Sequence, residues 1–251
     1  MGRLVQAEWT KLLTTKVWIG LLLGACVLVG GFTALLTGLA GSAGGPDPVG
    51  TPGYERLALA VSANANILFV VLGIIGTTQE YRHRTATPTF LASPHRGRVV
   101  VAKLLAYALA AVPMALVVIA VNLLVVTVYA GAKGDGPSLD GDNLRVIGSS
   151  WAALVLFTVI GVGVGALLRN QVGAIVGALV YLFVIEGLIS SIPATQGTYK
   201  WLPGGALEAM TATFTDQDNL LTAWQGGVLL LAYALVLSAL GTLFAVRRDV
   251  V

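Results

Sequence analysis

Cysteine, histidine and charge are all scarce in this chain of 251 residues. A lone cysteine, Cys26, excludes an intrachain disulfide and a cysteine cluster for metal. The two histidines, His83 and His95, sit among arginines, a cationic setting that disfavours a bound metal. Charged residues make up 11% of the chain, against about 25% in soluble domains. That leaves little chain for an aqueous domain. Motifs are missing too. Without Gly-x-x-x-x-Gly-Lys-Ser/Thr the chain has no P-loop to cradle ATP phosphates. Without His-Glu-x-x-His or Gly-x-Ser-x-Gly it lacks the usual residues of zinc and serine hydrolases.

Apolar residues fill the place of what is missing. They make up 56%, and the mean hydropathy is +0.85. Six apolar runs lie near 17–40, 57–78, 100–130, 147–168, 172–192 and 223–246. A bilayer-spanning helix needs about 20 such residues, so all six qualify. In lipid every backbone N–H and C=O must be satisfied internally, so these runs must be helical. The fold class is therefore all-α integral membrane, with six transmembrane helices in a single domain covering 1–251. The first run is longer than a signal-peptide core and follows charged residues, so it reads as a retained span, although Gly41-Ser42-Ala43 imitates a cleavage site.

The formal charge of +3 raises nucleic acid as a partner, but distribution argues against it. The basic residues flank the spans, where anionic lipid explains them. With both termini cytoplasmic, the inside holds Arg3, Lys11, Lys16, Arg82, Arg84, Arg96, Arg98, Lys103, Arg169, Arg247 and Arg248. The outside holds Arg56, Lys133, Arg145 and Lys200. The inverse orientation would invert this excess, so both termini are expected inside.

Residues 2–16 read as an amphipathic helix, with Val5, Trp9, Leu12 and Leu13 on one arc and Arg3, Thr10, Lys11 and Thr14 opposite. Such a helix lies in the cytoplasmic interface or simply extends the first span. Gly20–Gly24, Gly161–Gly165 and Gly173–Gly177 have the spacing that lets helices approach closely, either within one subunit or at a dimer seam. Pro113 removes one hydrogen bond from the third span.

The cytoplasmic loop 79–99 carries two cap-then-proline pairs, Thr87-Pro88 and Ser93-Pro94. Between them residues 88–92 have room for little more than one helical turn, which Pro94 ends. The outer loop 193–222 holds Trp201-Leu202-Pro203 and then a helix-prone Ala206–Met210 stretch, too short to span. It reads as a re-entrant helix or as a surface turn. One ionisable residue, Glu186, lies inside a run, near the outer end of the fifth. Such residues face a bundle interior or a cavity. Asn64, Asn66, Asn122 and Tyr181 are the polar groups able to share that interior. Together they mark a substrate path or gate, or a carboxylate hydrogen-bonded to a neighbouring helix.

Three stretches resemble the permease subunit of a type-2 ABC exporter, the bacterial drug and lipid efflux kind. Ala7-Glu8-Trp9-Thr10-Lys11-Leu12 is similar to that family's N-terminal stretch. Glu80 through Pro94, with Leu91-x-x-Pro94, then Arg96 and Lys103, resembles its first cytoplasmic loop, although Arg84-Thr85 stands where Gly-Thr is usual. Leu202-Pro203 before a short Ala-rich helix resembles its outer re-entrant region. The resemblance implies a bacterial plasma-membrane protein that is no enzyme itself. Two six-span permeases would pair, as a homodimer or with a sister permease, above two ABC ATPase subunits that hold ATP and Mg. The loop, through Glu80, Arg82, Arg84, Pro88, Phe90, Leu91, Pro94 and Arg96, would couple hydrolysis to outward movement of an amphipathic drug, lipid or peptide. Two other classes stay open: an ion-coupled secondary transporter, which needs a midplane ion site, and a non-transporting membrane scaffold or receptor subunit.

Overall fold

The computed structural model describes residues 1–82, 96–134, 136–211 and 220–247. Every regular element among them is helical. Six helices are long and apolar enough to cross a membrane: Val17–Leu39, Pro52–Arg82, Gly97–Ala132, Gly141–Leu168, Gln171–Ser191 and Ala223–Phe244. They are numbered below as spans one to six. The chain is a multi-pass, all-α membrane protein.

Spans two and four start several residues before their apolar runs do, because helix caps recruit polar residues. Thr51 accepts a hydrogen bond from the Tyr54 N–H and Pro52 takes the first helical position, so span two begins well before residue 57. Asp140 caps span four in the same way, accepting from the Asn143 N–H. A 3₁₀ segment, Val61–Ala65, interrupts span two, and a π segment, Val180–Ile185, interrupts span five. Spans four and five form a tight hairpin. Arg169 ends the first in the left-handed conformation (φ 52°), and Asn170 caps the second.

Span two is the hub of the bundle. Most of its central stretch is buried, whereas spans one, five and six leave most of their surface outside the fold. Glycine sets how closely it packs on span four. A Cβ at Gly161 would collide with the Val70 carbonyl, and one at Gly73 with the Thr158 carbonyl and the Val162 N–H. Gly165 faces Ile74 of the same neighbour. Gly161–Gly165 is therefore an internal contact, whereas Gly20 and Gly177 meet nothing. Gly163 and Gly241 bring spans four and six together in the same fashion.

The helix Gly2–Thr14 is separate from span one. It ends before Lys16, whose φ of 22° is unfavourable for a residue with a side chain, and it packs against the long helix Arg96–Ala132. Glu8 and Leu12 face inward. At the other end of the bundle, Pro203–Thr211 is a buried helix packed on spans four and six. The Tyr233 hydroxyl ties span six to the Trp201 carbonyl just before that helix. The short helix expected at 88–92 lies outside the described residues.

Candidate functional site

Two polar constructions stand out against the apolar bundle, one at each end. The first gathers four charges from three distant stretches. Lys103 Nζ, at the start of span three, reaches Glu8 Oε2 at 2.5 Å and Glu80 Oε1 at 2.9 Å. Lys11 Nζ reaches Glu8 Oε1 and Glu80 Oε1, both at 2.7 Å. Glu8, Glu80 and Lys103 are each at least 96% buried, while Lys11 is half-exposed at the rim. Among the described residues two positive and two negative charges meet here, and pairing of this kind is the condition under which buried charges persist. Burial works against the Lys11 charge, but the Glu8 and Glu80 carboxylates outweigh it and hold the ammonium protonated above the ordinary lysine range. Lys103 also donates to the Gly76 carbonyl at 3.4 Å, and the Tyr107 ring lies where a Cβ of Gly76 would be.

This cluster ties together the two helices that flank residues 83–95 in the sequence. Glu80 closes span two just before it, and Lys103 lies two turns into the helix that follows it. Of the coupling residues expected from sequence, Arg82 is exposed at the end of span two. Arg96 begins the next helix. Arg84, Pro88, Phe90, Leu91 and Pro94 lie outside the described residues. The described ion pairs of Glu80 run to Lys11 and Lys103. Glu8 and Lys103 were not legible as partners. They are 95 positions apart, and only the three-residue spacing of Glu8 and Lys11 on one helix face hinted at a local pair.

The second construction, at the opposite end of the bundle and on the side expected to face outward, is a cavity of about 450 Å³ between spans one, two and five and the helix Pro203–Thr211. Asn64, Asn66 and Glu186 line it together, as their residue types had suggested, and Tyr199 and Glu208 join them. Glu186 is 97% buried. Its Oε2 accepts the Gly204 N–H at 2.7 Å, so the carboxylate caps the buried helix. The Tyr181 hydroxyl lies near the same carboxylate, yet Oε1 completes no hydrogen bond of normal geometry. Glu208 Oε1 accepts from the Tyr199 hydroxyl at 2.9 Å, and its Oε2 is buried and unmatched. Burial pushes the Glu208 carboxyl above its ordinary range, with the Tyr199 bond pulling the other way. Burial likewise drives the Tyr199 phenol up, helped by the negative charge of Glu208. Tyr181 also borders a second, almost wholly apolar cavity of about 480 Å³ beneath span five, lined by Val70, Phe157 and Leu237 among others.

Asn122 is elsewhere. It accepts from Thr33 Oγ1 at 2.6 Å and donates to the Ala58 and Leu59 carbonyls at 3.1 and 3.0 Å. Those carbonyls stand where span two turns into its 3₁₀ segment, so Asn122 joins spans one, two and three. No protein-family model matches the chain, and no curated protein matches it. Among the described residues no group of three or more His, Cys, Asp or Glu side chains is placed to hold a metal ion.

Proposed function

We propose that this chain is the membrane-spanning permease subunit of an ATP-driven ABC exporter in a bacterial plasma membrane. It moves an amphipathic substrate outward, while two copies of a separate ATPase subunit bind ATP and Mg. A second permease, identical or a sister, completes the pathway. The four-charge cluster carries this reading. A loop that receives force must have ends that move with the spans, and here the two helices that flank it are held to each other and to the helix Gly2–Thr14. Span five supports it from the other side. Little of it is buried, and cavities lie beneath and beside it, so it has room to shift.

Purification of the tagged chain from the membranes of its own organism tests the proposal. An ATPase with a P-loop is expected to co-purify in equal amount. Proton-driven uptake in vesicles without such a subunit would assign the chain to the secondary transporters, and neither result would leave a scaffold. Phe90→Ala combined with Leu91→Ala is expected to weaken ATPase capture about tenfold or more, because apolar anchors dominate small interfaces. Unchanged capture and transport would remove the loop's coupling role.

Both termini are taken as cytoplasmic. In a Cys26→Ala background, a cysteine at Ser138 is expected to react with an impermeant maleimide applied from outside, and one at Thr85 only after the membrane is opened. The reverse pattern would overturn the topology.

A further inference from the structure

The outer cavity has an unusual electrostatic inventory. Two carboxylates, Glu186 and Glu208, approach it from different elements, one from span five and one from the buried outer helix. Each has one oxygen already held, by the Gly204 N–H and by the Tyr199 hydroxyl. The other oxygen of Glu208 is buried without a hydrogen-bond partner, and that of Glu186 completes no hydrogen bond of normal geometry although the Tyr181 hydroxyl lies near the carboxylate. A buried, unmatched carboxylate oxygen is costly unless a donor or a cation arrives. Among the described residues no lysine or arginine lines the cavity. Besides the neutral polar Asn64, Asn66 and Ser190, the remaining wall is mainly apolar and includes the aromatic Phe32 and Phe183.

The geometry points to a binding site for a lipophilic organic cation, with its charged centre between Glu186 and Glu208 and its apolar body against Phe32, Phe183 and the neighbouring span surfaces. About 450 Å³ is the size of a small-molecule pocket rather than of an inorganic ion site. A small metal ion would lose a hydration shell that two single oxygens do not replace, whereas an organic ammonium or phosphonium is weakly hydrated and loses little. Aromatic faces add attraction for such a charge. A zwitterionic phospholipid brings a phosphate for which the lining holds no cation, and an organic anion meets repulsion from both carboxylates. Where the exporter reading speaks only of an amphipathic substrate, this inference names its charge. In that respect it rests on the exporter reading, but the binding itself needs no ATPase.

Equilibrium dialysis of the purified full chain in detergent micelles provides the test. The probes are tetraphenylphosphonium and tetraphenylborate, which share a shape and carry opposite charge. Saturable binding near one equivalent is expected for the cation and not for the anion. Glu186→Gln and Glu208→Gln keep an acceptor for Gly204 and for Tyr199, so the fold should persist while affinity for the cation falls about tenfold or more in each. Thermal unfolding of both variants is expected to match the unsubstituted chain. Equal binding of the two probes, or undiminished cation binding in both variants, would overturn the inference. If Glu186→Gln fails to fold, Glu208→Gln and the comparison of probes on the unsubstituted chain still decide. Cation binding without any co-purifying ATPase would keep this site and discard the exporter; an ATPase partner without cation binding would do the opposite.

Discussion

Lys103→Met is expected to leave almost no folded protein. The ammonium is nearly fully buried and contacts both Glu8 and Glu80. Removing it takes away one of the two described cations that face the two carboxylates, and the contacts of both Glu8 and Glu80 with it. Breaking a buried pair from one side costs about 3–5 kcal/mol, a large part of the roughly 5–15 kcal/mol that holds a typical domain. The measure is the yield of monodisperse protein in detergent and its melting temperature. Lys11→Met should be far milder, because that side chain is 37% exposed and water already screens it. Pairing Lys103→Met with Glu8→Gln removes one charge of each sign and should recover part of the loss, which a simple packing defect would not. A Lys103→Met protein that melts with the unsubstituted chain would show that the four charges hold nothing together.

Gly161→Val is expected to be equally severe for a different reason. The obstacle is the Val70 carbonyl of the facing helix, which is backbone and cannot rotate aside. Spans two and four would have to separate along their whole contact, and Gly73 and Gly165 depend on the same approach. Overpacking typically costs about 1–3 kcal/mol where side chains can give way, and more is expected here. Gly177→Val is the matched control. It lies in a span of similar apolarity, and a Cβ there meets open space. It is expected to leave melting unchanged. Equal melting of the two valine variants would refute the close approach of spans two and four.

The spans were legible in the sequence because a bilayer imposes one length and one solvent on every crossing segment. Their polar ends were less so. Thr51 and Asp140 extend helices beyond the apolar runs, and hydropathy does not register a cap. Glu186 and the two asparagines near it could be grouped by type, and they do share a cavity. Asn122 belonged to the same group by type but ties three spans together instead, because nothing in a residue's identity says which helix face it occupies. The charge cluster was the least visible feature. Glu8 lies among residues whose pattern speaks of a membrane surface, and Lys103 reads as one more cytoplasmic cation.

The π segment of span five carries a consequence for how that helix is phased. Hydrogen bonds there skip one residue more than in an α-helix, so a single extra position is absorbed between Val180 and Ile185. One α-helical residue corresponds to about 100° of rotation. Counted from Gln171, everything past the segment is thus turned relative to an uninterrupted helix, and Glu186 is the first residue past it. Its inward aim belongs to the bulge as much as to its own position. Shortening the segment by one residue would restore the regular ladder and keep the carboxylate on its cavity, whereas a regular ladder at unchanged length would swing it away by about 100°. The face this helix shows beyond the segment is therefore set by which ladder those six positions adopt, and a change between the two ladders at fixed length turns the part after Ile185 relative to the part before Val180.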